Sequence, residues 1–212
     1  MTRLGILLSG RGSNFLAIAD AVDRGQIEDA EVSIVISNRA EAAGIAAAGA
    51  RGLAAQVIEA RGRKRAEQDA EIIACLQEHG VDLVCLAGYM RLLSPGFIAT
   101  FLNAILNIHP SLLPSFPGLD AQAQALAYGV GISGCTVHFV DEQLDHGVIV
   151  LQRPVPVLQG DDEETLSARI LEQEHIAYPE AISRVLSGNY AIVDRRYVAR
   201  ASQTATLIGE SK

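Results

Sequence analysis

The sequence predicts an α/β fold built on a doubly wound, mostly parallel sheet with a C-terminal antiparallel hairpin. Short apolar runs alternate with stretches in which apolar residues recur at helical spacing, an order typical of strand–helix–strand units. The run at 83–86 is apolar without interruption, as expected for a central strand covered on both faces. Glycine and polar residues follow the first strand, which places candidate ligand groups at the carboxyl edge of the sheet.

The first half of the chain is predicted to consist of repeated strand–helix units. Residues 4–8 form an apolar run, and Phe15, Ile18 and Val22 recur at helical spacing behind the glycine turn at 9–14. The remaining elements of this half are a strand at 32–36, an alanine-rich helical stretch at 40–50, a weaker strand near 56–58 and a helix at 65–78.

The second half continues this pattern and then departs from it. Prolines at 110, 114 and 117 stop regular structure after the fifth strand, because proline fixes φ and removes a hydrogen-bond donor. The elements expected here are strands at 83–86 and 104–109, a short helix at 122–128, a hairpin of strands at 134–140 and 148–152, and a helix at 165–186 that is interrupted or kinked at Pro179.

The domain organisation is predicted to be simple. A chain of 212 residues suits one ordinary domain, and it shows no internal repeat, flexible linker or shift in composition. Residues 1–188 are therefore assigned to a single domain and residues 189–212 to a C-terminal tail.

Composition and charge exclude several classes of protein. Hydrophobic residues make up 49% of the chain, which argues against disorder, and a net charge of −8 argues against nucleic acid or an anionic membrane as the main partner. The apolar runs are far shorter than the ~20 residues of a membrane-spanning helix, and the first residues lack a signal-peptide pattern. We expect a cytoplasmic protein whose cysteines, Cys75, Cys85 and Cys135, are buried thiols.

The glycine turn at 9–14 is a candidate anion-binding loop. Its glycines allow backbone N–H groups to approach a ligand, and the N-terminus of the following helix adds partial positive charge. Phe15 stands where a dinucleotide-binding motif has its third glycine, and no Walker motif is present, so a monophosphate fits better. A turn without any ligand remains the alternative.

Asn107 and His109 are candidate catalytic residues. Alternate residues of a strand share a face, so an amide and an imidazole point into one space. Such donors stabilise an oxygen that becomes negative during acyl transfer. The alternative for His109 is a purely structural hydrogen-bonding role. Asp145, which follows Leu144, is a further candidate, and the alternative for it is a residue that only stabilises a turn. The other histidines form no metal-binding pattern, and no serine-hydrolase elbow is present.

Four segments carry a resemblance to a known family: residues 9–14, 87–91, 107–114 and 144–147. Together they resemble the phosphoribosylglycinamide formyltransferases, over a stretch that runs from the first strand to the last helix. The asparagine, histidine and aspartate are shared by the wider formyltransferase superfamily, which includes methionyl-tRNA formyltransferases and formyltetrahydrofolate deformylases. The glycine loop at 9–14 distinguishes among these families and favours glycinamide ribonucleotide as the molecule that accepts the formyl group.

The resemblance implies a reaction and its catalytic residues. The formyl group of 10-formyltetrahydrofolate would pass to the amine of glycinamide ribonucleotide in purine biosynthesis, with no metal. By matching positions, Asn107 and protonated His109 would stabilise the tetrahedral oxyanion. Asp145 would hold His109 protonated and help to move the amine proton.

The resemblance also implies two binding sites. Gly12, Ser13 and Asn14 match residues that hold the nucleotide phosphate, and Glu174 matches the one that accepts ribose hydroxyls. The residues matched to the formyl folate are Arg65, Met90, Arg91, Leu92, Leu93, Asn107, Asp141 and Asp145. Ordinary packing is the alternative for 90–93, and a solvated helix face is the alternative for Arg65. Gln122 stands where the family commonly has a histidine, so a role for an imidazole there is in doubt.

Two other functions stay open at this point. A formyltetrahydrofolate deformylase would use water as acceptor, although the extra N-terminal domain of that family is not expected here. A nucleotide-binding module without turnover would keep the same motifs. A transfer-RNA acceptor is disfavoured by the charge of −8 and by the short segment after residue 186. The expected partners are small molecules, and the chain is a monomer or homodimer.

Overall fold

The computed structural model describes residues 1–200. Seven strands form the main sheet: β1 (Thr2–Leu8), β2 (Ala30–Ser37), β3 (Ala55–Val57), β4 (Leu83–Leu86), β5 (Ile105–His109), β6 (Ile132–Phe139) and β7 (Ile149–Pro156). The helices are α1 (Ser13–Asp23), α2 (Ala43–Ala50), α3 (Arg65–Glu78), α4 (Pro95–Thr100), α5 (Ala121–Tyr128) and α6 (Glu163–Leu186). Two further strands, β8 (Tyr190–Val193) and β9 (Arg196–Ala199), form a separate hairpin.

The strand order confirms the predicted fold class. The sheet runs β3-β2-β1-β4-β5-β6-β7, with β1 to β5 parallel and with antiparallel pairing between β5 and β6 and between β6 and β7. The chain winds outward from β1 to β3 and then returns to place β4 on the other side of β1. Parallel sheets bind ligands in the crevice at such a reversal. The carboxyl ends of β1 and β4 therefore mark the expected site.

Two apolar cores cover the two faces of this sheet. One contains Phe15 of α1 and Tyr178 of α6, and the other contains Ile72 of α3 and Phe97 of α4; all four side chains are fully buried. Burial of apolar surface on both faces is the main force that holds a parallel sheet together. It also explains why β4 is apolar at every position.

The last long helix is not interrupted at its proline. The helix α6 continues through Pro179, where an interruption or kink is expected from the sequence. Asp162 begins the helix with a capping box to Thr165, and Tyr178, Ala181 and Ile182 are buried around the proline. Tertiary packing offsets the hydrogen bond that proline removes, so the helix does not break there.

The hairpin β8–β9 lies where the sequence predicts a tail. Tyr190 stacks on Phe139 of β6 with ring centroids 6.2 Å apart, and on Tyr197 at 4.6 Å. The Tyr197 hydroxyl donates to the Arg184 carbonyl of α6 at 3.0 Å. These contacts attach the hairpin to the domain, while residues 201–212 of the predicted tail lie outside the described part of the chain.

No helix within residues 1–200 combines the length and the apolar character that crossing a bilayer requires.

Candidate active site

The strand β5 brings Asn107 and His109 to the carboxyl edge of the sheet. β5 pairs with β6 so that Asn107 lies opposite His138 and His109 lies opposite Thr136. His109 is 5% exposed, and Asn107 is half-buried. Residues two apart on a strand share a face, so the amide and the imidazole project from the same side of the sheet.

Asp145 reaches this strand end from a distant turn. Its carboxylate Oδ2 lies 3.4 Å from His109 Nδ1 and accepts a hydrogen bond from the Gly118 N–H at 2.8 Å. The side chains of His109 and Asp145 are only 6% and 8% exposed. Asp145 has a φ of 49°, a left-handed conformation that aspartate tolerates better than most residues. The predicted histidine–aspartate pair is therefore brought together in a shielded place.

Both ring nitrogens of His109 face hydrogen-bond acceptors. Nδ1 faces the Asp145 carboxylate, and Nε2 lies 2.8 Å from the Phe116 carbonyl oxygen. Nε2 makes a hydrogen bond with this carbonyl, whereas Nδ1 is within ion-pair distance of the carboxylate. The ring is therefore held between a backbone carbonyl and a carboxylate.

A second cluster surrounds the loop between β1 and α1. The Ser9 N–H donates to the Gly88 carbonyl at 3.0 Å, and the Met90 N–H donates to Ser9 Oγ at 2.8 Å. These bonds join the loops that follow β1 and β4. Gly12 begins α1 with a φ of 77°, and a Cβ there would lie 2.9 Å from Gly44 Cα. Only glycine fits this turn, and no side chain caps the N–H groups that follow it.

Asn14 connects this loop to the last helix. Its Nδ2 donates to Glu174 Oε2 at 2.7 Å, and both residues are buried. Burial raises the pKa of the Glu174 carboxyl to about 7, although the hydrogen bond from Asn14 opposes the shift. A buried carboxyl with a pKa near neutral pH, beside the candidate anion-binding loop, is typical of a functional site.

The comparison with family models identifies this architecture. Residues 2–182 match the formyl transferase model, from β1 through most of α6. The chain belongs to the formyl transferase family. The matched stretch contains Asn14, Asn107, His109, Asp145 and Glu174, and it leaves out β8 and β9.

Similar proteins agree with this assignment. This formyl transferase is 43% identical over 184 residues to the phosphoribosylglycinamide formyltransferase of Escherichia coli, and the match covers 86% of each chain. It is 47% identical over 187 residues to the human trifunctional purine biosynthetic protein adenosine-3, covering 88% of this chain. It spans only 14% to 18% of the length of such trifunctional relatives. The glycinamide ribonucleotide transformylase 1 structure from Symbiobacterium toebii has a TM-score of 0.92 at 49% identity, covering 95% of both chains.

His138 is a site residue that sequence reasoning missed. Its Nδ1 lies 2.7 Å from its neighbour's carbonyl, Phe139 O, while its Nε2 lies 3.2 Å from Asn107 Nδ2 and 3.8 Å from Asp145 Oδ1. Burial lowers the pKa of His138 and so favours the neutral ring. With the proton assigned to Nδ1, Nε2 accepts from the Asn107 amide and fixes which end of that amide is the donor. The contact between His138 and Asn107 depends on the pairing register of β5 and β6. Hydrophobic periodicity within one strand does not predict that register.

The predicted folate residues of this formyl transferase occupy different environments. Met90 and Leu92 are 69% and 52% exposed, whereas Leu93 is buried in the core with Phe97. Arg91 donates to the carbonyls of Ala60 and Arg63 at 3.0 and 3.1 Å. Arg65 is exposed at the start of α3, and Asp141 Oδ2 lies 2.8 Å from His146 Nδ1.

The described residues contain no cluster of three histidine, cysteine, aspartate or glutamate side chains that could hold a metal ion. Metal-independent activity remains a prediction.

Proposed function

We propose that this formyl transferase moves the formyl group of 10-formyltetrahydrofolate to the primary amine of glycinamide ribonucleotide, a step of purine biosynthesis. The names of the similar proteins support the two substrates. One observation carries the chemistry: the Asp145 carboxylate lies 3.4 Å from His109, two residues along β5 from Asn107. These groups supply the charge stabilisation that formyl transfer requires.

The first half of the reaction creates negative charge on oxygen. The amine nitrogen attacks the formyl carbon, and the electron pair of the C=O bond moves to the oxygen. Asn107 Nδ2 carries a second hydrogen beyond the one aimed at His138, so it donates to this oxygen. His109 stabilises the same oxygen through the positive charge of its ring, because its Nε2 already bonds to the Phe116 carbonyl. Each well-placed donor contributes about 3 kcal/mol to such a transition state.

The second half of the reaction requires proton movement. The attacking nitrogen loses a proton, and the folate nitrogen gains one as its bond to the formyl carbon breaks. Asp145 keeps His109 charged, accepts the amine proton, directly or through water, and passes this proton on to the folate nitrogen as the carbon–nitrogen bond breaks and the C=O bond forms again. The Gly118 N–H at 2.8 Å fixes the carboxylate for this purpose. The products are formylated nucleotide and tetrahydrofolate.

The nucleotide is assigned to the loop between β1 and α1. Gly12, Ser13 and Asn14 offer uncapped N–H groups at the start of α1, and these suit a phosphate. Glu174, held by Asn14, accepts the ribose hydroxyls. The Ser9 bonds to Gly88 and Met90 place this loop beside the loop that follows β4.

The folate is assigned to the loops that follow β4 and β6. Met90 and Leu92 offer exposed apolar surface for the pterin side, and the 141–147 loop contributes Asp141 and Asp145. The remaining proposed contacts are Arg65, Arg91, Leu93 and Asn107. Arg65 is proposed to form ion pairs with the carboxylates of the folate's glutamate tail.

We also infer a cytoplasmic enzyme that acts on small molecules, as a monomer or homodimer. The net charge of −8 supports the exclusion of nucleic acid and anionic membrane.

A comparison of acceptors tests the proposed reaction. Purified protein is given 10-formyltetrahydrofolate with glycinamide ribonucleotide, with water alone or with charged initiator transfer RNA, and loss of the formyl donor is followed. We expect turnover only with glycinamide ribonucleotide, and the same rate after treatment with EDTA. Equal turnover with water alone would indicate a deformylase. No turnover with any acceptor would indicate a binding module.

Variants at the strand end test the assigned roles. We expect His109→Ala and Asp145→Asn each to lower kcat by at least about 100-fold, because the first change removes the imidazole and the second removes the carboxylate that pairs with it. His79→Ala serves as the control, since His79 follows α3 at the opposite edge of the sheet. Binding of glycinamide ribonucleotide, measured by calorimetry, should be unchanged in all three variants. Full activity of His109→Ala would overturn the mechanism.

A further inference from the structure

The hairpin β8–β9 makes a contact that the proposed reaction does not use. Its turn contains Asp194 and Arg195, both with positive φ, and directs the Arg195 guanidinium toward the 141–147 loop. Arg195 donates from one nitrogen to the His146 carbonyl, and a second nitrogen lies 3.0 Å from His146 Nδ1. The loop that carries Asp145 is therefore held by a residue 49 positions from His146 in the sequence.

The contact extends into the loop itself. His146 Nδ1 also lies 2.8 Å from Asp141 Oδ2, and Asp141 Oδ1 accepts from the Gln143 N–H at 2.9 Å. His146 directly follows Asp145, whose carboxylate faces His109. His146 Nδ1 donates to Asp141 in one tautomer and accepts from Arg195 in the other, because one ring nitrogen cannot do both.

This loop needs such support because its conformation is constrained at several points. Asp145 holds a left-handed φ, and a Cβ at Gly147 would lie 1.7 Å from the Phe139 carbonyl, so only glycine allows the close approach of the loop to β6 there. The middle of the loop is exposed, with Leu144 56% accessible to solvent. An exposed loop with a required geometry loses conformational entropy when it orders around a ligand. A contact that orders the loop beforehand lowers that cost.

The hairpin is well placed to supply a fixed point. The stacking of Tyr190 on Phe139 and on Tyr197 attaches its base to β6, and the Tyr197 hydroxyl bonds to α6. Arg195 has a planar, forked guanidinium that can donate to a carbonyl and to a ring together. One guanidinium nitrogen donates to a backbone carbonyl, so that hydrogen bond does not depend on the tautomer of His146.

We propose that Arg195 is a positioning residue that holds the 141–147 loop in the conformation in which Asp145 meets His109 and the formyl donor binds. It touches neither the reacting atoms nor the nucleotide site. The inference rests on the proposed assignment of this loop to the folate.

Replacement of Arg195 tests the proposal. In Arg195→Ala we expect kcat/KM for 10-formyltetrahydrofolate to fall about three- to tenfold, the scale of one or two lost hydrogen bonds. The KM for glycinamide ribonucleotide should stay unchanged. The kcat/KM of Arg195→Lys should lie between the values of the parent and of Arg195→Ala, because an ammonium group lacks the planar, forked donors of a guanidinium. The matched control is Arg196→Ala, the next residue of the hairpin, which is exposed and should leave both constants unaltered.

Hydrogen exchange provides a readout that does not depend on activity. In the ligand-free full chain, Arg195→Ala should speed exchange in a peptide spanning 141–147 and leave peptides of β1 and β4 unchanged, while Arg196→Ala changes neither. Unchanged exchange in the loop, or an equal increase with Arg196→Ala, would overturn the proposal. If the parent protein did not formylate glycinamide ribonucleotide, the proposed function would fail, but the exchange result would still decide whether Arg195 holds the loop.

Discussion

Each polar side chain at the end of β5 is held by a neighbour. His138 accepts from the Asn107 amide at 3.2 Å, and the Gly118 N–H fixes the Asp145 carboxylate at 2.8 Å. Donors that are fixed in advance need no reorganisation when charge develops, which makes them effective in catalysis. The spacing of Asn107 and His109 predicted their shared face, because that property is local to a strand. The role of His138 depends on pairing with β6, which local spacing does not contain.

The titration of Glu174 gives a prediction for substrate binding. Burial raises its pKa to about 7, and only the ionised carboxylate can accept from Asn14 on one oxygen and from ribose hydroxyls on the other without carrying a proton. The ionised fraction rises with pH through this value. We therefore expect affinity for glycinamide ribonucleotide to increase about tenfold between pH 6 and pH 8.

The variant Glu174→Gln isolates this contribution. Its amide oxygen still accepts from Asn14 but does not titrate, so affinity should be lower at pH 8 and the tenfold increase should disappear. Dissociation constants measured by calorimetry at several pH values give both results. Any titration of the ligand itself remains in both proteins and cancels in the comparison. The same pH dependence in parent and variant would show that Glu174 does not bind the ligand as a carboxylate.

The helix α6 connects the nucleotide side of the site to the strands that carry the catalytic residues. Glu174 and Tyr178 are four positions apart and therefore lie on one face of the helix. Glu174 bonds to Asn14, while the Tyr178 hydroxyl donates to the carbonyls of Leu86 and Leu106 at 3.1 and 2.9 Å. These carbonyls belong to β4 and β5, the second directly before Asn107. One helical element thus fixes both parts of the site.

Removal of the Tyr178 hydroxyl tests this connection. Tyr178 is fully buried, so Tyr178→Phe leaves two strand carbonyls without this donor. We expect the free energy of unfolding to fall by about 1–3 kcal/mol. Tyr128→Phe is the control, because Tyr128 is 79% exposed and its loss of a hydroxyl should change stability by less than about 0.5 kcal/mol. Denaturant titrations compare the two. Equal stability of Tyr178→Phe and the parent would show that the hydroxyl does not hold the strands.

At the scale of the whole molecule, local pattern predicted the sheet and its helices but not the contacts that close the site. Hydrophobic patterning located β1, β2, β4, β5 and α3 because each buries side chains that its own sequence encodes. The hairpin β8–β9 was missed because its apolar contacts, Tyr190 on Phe139 and Tyr197, depend on the folded domain. The continuity of α6 through Pro179 likewise depends on packing that no local signal shows.

The burial of all three cysteines gives a test of the folded state as a whole. Cys75, Cys85 and Cys135 are free and at most 6% exposed, as the sequence predicts. Burial raises the pKa of all three thiols, that of Cys135 to about 12, so the reactive thiolate is scarce. We expect an aromatic disulfide reagent to titrate three thiols in denaturant, and to react at least about 100-fold more slowly with the native protein. Leu102→Cys, at a position 69% exposed, should add one fast thiol and serve as the positive control. Rapid native reaction of any of the three parent thiols would mean that the two cores on either side of the sheet open far more often than their packing implies.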